Sequence, residues 1–261
     1  MNSSLFTPRR TASLLLEQWR NGELLTALPP ALKPETLTQG YDAQDQFFAA
    51  AGGRRAGWKL GVGSPAAMRA GNLARPLIGQ LEAERCHANG VHIRLPAETP
   101  VTIECEVAFV LARDVAPQIG RLPTAEDIRA TCVTFEVVRS RFVDRKSVGW
   151  PSFVADNVGF EALIVGDEIC PGIDEMALLS LADGAEVSVN GELRARRLTG
   201  DAATDPIASL AALYAHAAER GQTLKANDIV STGAMCQPFD LVGSGYEVSV
   251  KYLGKQLSFT L

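Results

Sequence analysis

Val101-Thr102-Ile103-Glu104-Cys105-Glu106-Val107-Ala108-Phe109-Val110-Leu111 is the stretch on which the reading of this sequence turns. Its β-branched and apolar content marks a strand, in which successive side chains point to opposite faces. Glu104 and Glu106 therefore share a face, about 6–7 Å apart along the backbone. The other face carries Ile103, Cys105, Val107, Phe109 and Leu111, and beyond the glutamates their own face continues with Ala108 and Val110. A strand apolar on both sides is an interior strand. Paired carboxylates there are costly unless one takes up a proton or a divalent cation lies between them. The other reading places both glutamates at the solvated start of the strand, paired with surface arginines.

A third acid adds weight to the cation. Glu136 lies in Cys132-Val133-Thr134-Phe135-Glu136-Val137-Val138, again a single carboxylate inside an apolar strand pattern. Three glutamates from two interior strands suit the oxygen-ligand set of Mg2+ or Mn2+. Their charge exceeds that of a divalent ion, so a nearby cation would help. Lys59, in Gly57-Trp58-Lys59-Leu60-Gly61-Val62-Gly63-Ser64, is the candidate, with an ordinary strand-end lysine as the alternative.

Outward from these segments, Thr7-Pro8 opens a helix that stops at Gly22, and a second helix spans about 42–51 before Gly52-Gly53. Between them lies the proline-rich connector 28–34. Strands are expected near 55–60, 101–112, 131–138, 160–165, 185–189 and 246–253. Asn190-Gly191 marks a hairpin, and 251–256 a second one. Helices are expected at about 124–130 and 205–220. Without regular βα alternation or an internal repeat, the fold class is α+β around mixed or antiparallel sheet. A helical N-terminal section (1–54) precedes a catalytic domain (55–261), the two forming one continuous unit.

The 261 residues are 46% hydrophobic and 21% charged, which argues against disorder, and the net charge of -5 without a basic tract argues against a nucleic-acid or membrane partner. No apolar run is long enough to span a membrane, and residues 1–6 lack a basic start followed by an apolar stretch, so a cytoplasmic protein is expected. Cys86, Cys105, Cys132, Cys170 and Cys236 are odd in number and widely spaced, and read as reduced thiols. His87, His92 and His216 have no metal-ligand spacing. Gly61-Val62-Gly63 lacks the third glycine of a dinucleotide loop and fits close approach to a ligand better.

Gly57-Trp58-Lys59-Leu60-Gly61, Glu104-Cys105-Glu106, Glu136 and Ala155-Asp156-Asn157, in this order, resemble the 2-keto-4-pentenoate hydratase and 4-oxalocrotonate decarboxylase branch of the fumarylacetoacetate hydrolase superfamily. The resemblance covers nearly the whole chain and implies a mixed β-roll that holds Mg2+ or Mn2+ on Glu104, Glu106 and Glu136. It implies a small 2-oxo or 2-hydroxydienoate substrate, with Lys59 as the catalytic and positioning residue and Leu60, Asp156 and Asn157 lining the substrate pocket. It further implies a homo-oligomer and a complex with a pathway aldolase or with a decarboxylase or hydratase partner.

The expected reaction is hydration of a 2-hydroxy-2,4-dienoate to a 4-hydroxy-2-oxo acid in meta-cleavage degradation of aromatic compounds. A decarboxylase on the same site is the nearest alternative, and a catalytically weak scaffold for a pathway enzyme is an alternative of another class. Three differences from the hydratase pattern stand out. Arg75-Pro76-Leu77-Ile78-Gly79 occupies the place of a Gln-Pro-Asp-aromatic-Gly segment, Gly63 replaces a threonine, and Val158-Gly159 follow Asp156-Asn157 where small or hydroxyl residues are usual. The helix Ala66-Ala67-Met68-Arg69-Ala70 lacks the His and Glu of the hydrolytic relatives.

Overall fold

Two helices lead the chain in the computed structural model, which describes residues 6–96 and 99–261; apart from Phe6, the stretch read for a signal lies outside them. Helix α1 (Pro8–Asn21) places Pro8 in its first turn, where a missing N–H costs no hydrogen bond, and stops at Gly22 with φ 71°. Helix α2 (Leu37–Ala51) begins five residues before the expected start. The Thr36 hydroxyl caps it by accepting the Gln39 N–H at 3.2 Å.

The strands are β1 (Arg55–Gly61), β2 (Leu77–Glu82), β3 (Cys86–Ala88), β4 (Val101–Leu111), β5 (Ile128–Val138) and β6 (Phe160–Pro171) in the first half of the chain. The second half adds β7 (Glu186–Val189), β8 (Glu192–Arg196), β9 (Ile229–Ala234), β10 (Phe239–Leu241), β11 (Glu247–Tyr252) and β12 (Lys255–Thr260). Helices α3 (Pro65–Ala70), α4 (Trp150–Ala155), α5 (Glu175–Gly184) and α6 (Pro206–Glu219) sit between them. One sheet runs β2-β1-β9-β4-β5-β6-β3, with β10 also paired to β4, and the other runs β12-β11-β7-β8. Among the described strands, β1 with β9 and β3 with β6 pair in parallel and the other strand pairs are antiparallel, so the fold is α+β on a curled mixed sheet, as the sequence predicts.

Both expected hairpins form, with Asn190 and Gly191 at φ 51° and 82° and Leu253 and Gly254 at 45° and 73°. The helix expected at 124–130 does not form. It is a single 3-10 turn, Ala125–Asp127, closed by reciprocal bonds between Thr124 and Asp127, after which Ile128 enters β5. The β-branched run from Ile128 onward outweighs the helix-start signal.

Packing joins the parts. Phe135 and Phe259 pack between the two sheets with ring centroids 5.3 Å apart and the rings tilted by 59°. The helical section rests on a cluster of its own, in which Leu15, Leu16 and Phe47 meet Phe142, Val148 and Ala155. It is also latched by polar groups: the Trp19 indole and the Arg139 guanidinium both donate to Glu161 Oε2 at 2.8 Å. Burial raises the Glu161 carboxyl, but Arg139 and Arg85 outweigh it and hold the group below the ordinary range. All five cysteines are free thiols, and no helix among the described residues is long and apolar enough to cross a membrane.

His216, 2% exposed on α6, packs against Tyr41 with ring centroids 4.4 Å apart and the rings tilted by 59°. Burial first, then Arg75 and Arg220, push its pKa down to about 3. A base depressed in the folded state stabilises the fold above its unfolded pKa, and that stability drains away as pH falls from about 6.5 toward 3. Between pH 7 and pH 5 the loss due to His216 is about 2 kcal/mol. Urea unfolding at both pH values is expected to show a smaller acid loss in His216→Gln than in the wild type; equal losses would contradict this role.

Candidate metal centre

The antiparallel register of β4 and β5 sets Glu104 directly opposite Glu136 and Glu106 opposite Thr134. One carboxylate oxygen from each glutamate lies within 4.8 Å of the others. Glu106 and Glu136 are fully buried, while Glu104 is partly exposed. The surface-arginine alternative is therefore not what the fold builds. Like charges directly opposite across strands repel, and the electrostatics records it. Burial first, then the Glu136 and Glu104 charges, push Glu106 well above the carboxylate range. Burial pushes Glu136 up to about 7 against the pull of Lys59.

Each buried glutamate is held by one side and left open on the other. Glu106 Oε2 accepts the Ser231 hydroxyl at 2.6 Å and the Gly233 N–H at 2.9 Å, and Thr134 Oγ1 lies 2.8 Å from Ser231 Oγ. Glu136 Oε1 makes an ion pair with Lys59 Nζ at 2.9 Å, although not an aligned hydrogen bond. Glu106 Oε1 and Glu136 Oε2 are buried without a hydrogen-bond partner among the described residues. Orphaned acceptors of this kind cost free energy unless something meets them. The hard anionic oxygens and the surplus negative charge fit a divalent cation of the Mg2+, Mn2+ or Ca2+ type.

Lys59 is 1% exposed, and the surrounding backbone is shaped to keep it in place. Its Nζ donates to the Val158 carbonyl at 3.1 Å. Val158 holds φ 51°, a strained conformation for a β-branched residue, as does Asn157 before it at 51°. Asn157 fixes that turn by clasping Gln80 from both sides, accepting its N–H at 2.8 Å and donating to its carbonyl at 2.9 Å. Gly79 leaves room for the lysine stem, because a Cβ there would lie 2.8 Å from Lys59 Cδ. Gly57, at φ 151°, lets β1 close on β9, where a Cβ would lie 1.9 Å from the Ile229 carbonyl oxygen.

A cavity of about 610 Å³ opens on this cluster and is lined by Lys59 and Glu104 at its floor. Trp150, Phe153, Val158 and Leu198 form apolar walls, and Arg145 and Lys146 stand at the rim. Gly61 and Gly63 line it too, consistent with a backbone that lets a ligand close in. Three expected pocket residues do not line it. Leu60, fully buried, packs into the core. Asp156 is tied to Arg141 in a buried ion pair and accepts from Ser140 at 2.9 Å, and Asn157 is spent on Gln80. This acid and this amide shape the turn behind Lys59 instead of facing a ligand. A second cavity of about 670 Å³ between α2 and α6 holds no acid cluster, and its arginines are already paired, Arg75 with Glu219 and Arg220 with Asp42 and Asp45.

Sequence reasoning missed Arg145, Lys146, Trp150 and Phe153. The available signal was a pair of cations in Asp144-Arg145-Lys146, followed at once by Gly149-Trp150-Pro151 in a loop between two apolar runs. The clasp around Lys59 makes a direct prediction. Asn157→Ala removes two buried hydrogen bonds and is expected to lower stability by about 2 kcal/mol, read from denaturant midpoints; an unchanged midpoint would remove the clasp.

No family model matches the chain. A 2-keto-4-pentenoate hydratase of Burkholderia vietnamiensis strain G4 is 30% identical over 233 residues, covering 86% of both chains. A 4-oxalocrotonate decarboxylase of a Pseudomonas species is 28% identical over 212 residues, covering 80% of this chain and 79% of the relative. The solved 4-oxalocrotonate decarboxylase of Pseudomonas putida G7, a complex with magnesium and adipate, superposes with a TM-score of 0.86 at 23% identity over 97% of this chain and 96% of its own. The chain thus belongs to the family of 2-keto-4-pentenoate hydratases, and it shares the fold of the solved 4-oxalocrotonate decarboxylase and of fumarylacetoacetate hydrolase family structures.

Proposed function

We propose that this protein is a divalent-metal-dependent lyase that adds water to a 2-hydroxy-2,4-dienoate to give a 4-hydroxy-2-oxo acid. The observation that carries the reading is the set of three convergent carboxylates, two of them buried with an orphaned oxygen each and the third, Glu104, lining a ligand-sized cavity together with Lys59. Glu104, Glu106 and Glu136 would hold the ion, Mg2+ or Mn2+, as the relatives' complexes with magnesium, calcium and manganese also suggest. When bound, the cation supplies a positive charge that stabilises negative charge developing on the oxygen of a 2-oxo acid.

The protein's own groups do the rest. Ser231 and Gly233 fix the orientation of Glu106. A lysine ammonium has three donors. Two of those on Lys59 face Glu136 and Val158, which leaves one for a substrate oxygen or for proton delivery to a carbon beside it. The apolar walls of Trp150, Phe153 and Val158 keep bulk water off the diene and so direct where water can approach.

Decarboxylation of a 2-oxo acid on the same site is the second reading. It is favoured by one feature: Leu77 and Ile78, at the place of the hydratase-type aspartate, are buried and apolar, so that carboxylate is not there to activate water. Loss of CO2 needs an electron sink and a proton donor but no water-activating base.

Four measurements test the proposal. Millimolar Mg2+ or Mn2+ is expected to raise the melting temperature by several °C, as binding to the folded state alone requires; no shift would favour the scaffold reading. Glu104→Ala, Glu106→Ala and Glu136→Ala are each expected to abolish that shift and the activity, and retention of both in any two of them would contradict the ligand set. Lys59→Ala is expected to lower kcat/KM by about 10²-fold or more while the metal still shifts the melting temperature. With metal present, consumption of 2-hydroxypenta-2,4-dienoate to 4-hydroxy-2-oxopentanoate supports the hydratase. CO2 release from 4-oxalocrotonate without hydration supports the decarboxylase, and neither reaction would contradict both.

A further inference from the structure

We infer that Thr204 is a substrate-binding residue, its hydroxyl donating to an oxygen at the end of the substrate that the metal holds. The inference rests on the proposed metal-dependent reading of the cavity and adds to it a group from outside the strands that carry the acids.

Thr204 lies in the loop between β8 and α6 and lines the cavity together with Lys59 and Glu104. Its side chain is wedged against two glycines. A Cβ on Gly63 would lie 3.3 Å from Thr204 Cγ2, and a Cβ on Gly233 would lie 3.2 Å from Cγ2 and 3.3 Å from Oγ1. Gly233 is the residue whose N–H holds Glu106 Oε2 at 2.9 Å. Thr204 therefore packs on the backbone that orients one of the three carboxylates.

The two glycines are there for different reasons. Gly233 has φ 107°, which favours glycine whatever its neighbours. Gly63 has no left-handed φ, so space and not backbone geometry selects it: Pro76 Cγ as well as Thr204 Cγ2 would stand 3.3 Å from a Cβ there, and Ser209 Oγ 3.5 Å. Gly63 is also the position at which the hydratase pattern carries a threonine. This chain thus keeps a threonine at the same corner of the cavity, but brings it from the loop before α6 and not from the loop after β1.

The hydroxyl itself is uncommitted. Among the described residues Ser64 and Thr204 are the hydroxyl side chains that line the cavity. Ser64 Oγ caps α3 by accepting the Ala67 N–H at 3.2 Å, whereas Thr204 Oγ1 has no hydrogen-bond partner among the described residues. A valine would fill the notch with the same shape and without an unpaired hydroxyl to desolvate, so packing alone does not account for the threonine. The backbone that carries it is anchored. The Asp205 carboxylate accepts the N–H groups of Ile207 at 2.8 Å and Ala208 at 3.1 Å, and Pro206 starts α6. A β-branched side chain on a fixed backbone has little rotamer freedom to lose, so the donor is in place before the substrate arrives.

The test measures by calorimetry the binding of 2-oxopentanoate, a saturated 2-oxo acid with no double bond to hydrate, to the full chain with and without Mg2+. Thr204→Val is expected to weaken the Mg2+-dependent binding about tenfold, the equivalent of one hydrogen bond, while the melting temperature and its shift with Mg2+ stay as in the wild type. Thr204→Ser, which keeps the hydroxyl and loses the methyl, is expected to stay within about threefold of the wild type. Equal affinity of Thr204→Val and the wild type would overturn the assignment and leave the metal-dependent reading standing. So would an equal loss in Thr204→Ser, which would make the methyl the group that matters, or a loss of the Mg2+ shift in Thr204→Val, which would put the hydroxyl to work on the metal site instead of the substrate. Absence of any Mg2+-dependent binding in the wild type would overturn the metal-dependent reading, and the role of Thr204 with it.

Discussion

Two carboxylates facing each other across an interior strand pair, with a third one step along the same face, impose the constraint that the rest of this structure answers. Glu104 and Glu136 are register partners, and Glu106 lies beside them under full burial. Left alone, such a cluster would take up protons or open the strands. The fold instead surrounds it with partial remedies. One lysine meets one oxygen of Glu136, a serine and a backbone amide meet one oxygen of Glu106, and two further oxygens are left unmet. A site that stabilised its own acids fully would have no use for a cation. The incomplete satisfaction is the physical mark of a binding centre, and part of the protein's stability is given up to keep it.

Holding Lys59 in that cluster explains features that otherwise look like unrelated irregularities. The left-handed Asn157-Val158 turn presents a carbonyl to Nζ, the Asn157 amide locks the turn to Gln80, and Gly79 makes room for the aliphatic stem. A lysine carries large rotamer entropy, and fixing it beforehand spares that loss when a substrate arrives. The strain thus sits beside the reacting groups, on a turn braced by the buried Asp156–Arg141 pair.

The cluster was legible in the sequence because β structure has a period of two: residues 104 and 106 must share a face whatever else the chain does, and apolar neighbours show that the face is interior. The hairpin turn at Asn190-Gly191 and the helix start at Thr7-Pro8 were legible for equally local reasons. The cross-strand register that brings Glu136 opposite Glu104 is not local and could not be read from either strand's own pattern. Asp156 and Asn157 show the limit of motif reading, since a motif fixes which residues matter but not which way they face. Both point away from the cavity and act on Lys59 through the backbone. β9 and α4 escaped notice because β9, Ile229-Val230-Ser231-Thr232-Gly233-Ala234, holds two hydroxyl residues and a glycine in an otherwise apolar run, and α4 is only six residues long. The cationic rim likewise belongs to an irregular loop in which no period links side chain to direction.

The most direct test of the metal centre is an anomalous difference map from crystals of the protein grown or soaked with Mn2+. The geometry predicts one strong peak per chain, bounded by Glu104, Glu106 and Glu136, with Glu106 Oε1 and Glu136 Oε2 turned toward it. A peak elsewhere, or none among these three carboxylates at millimolar Mn2+, would contradict it and leave the buried acids as a charge cluster relieved by protons alone.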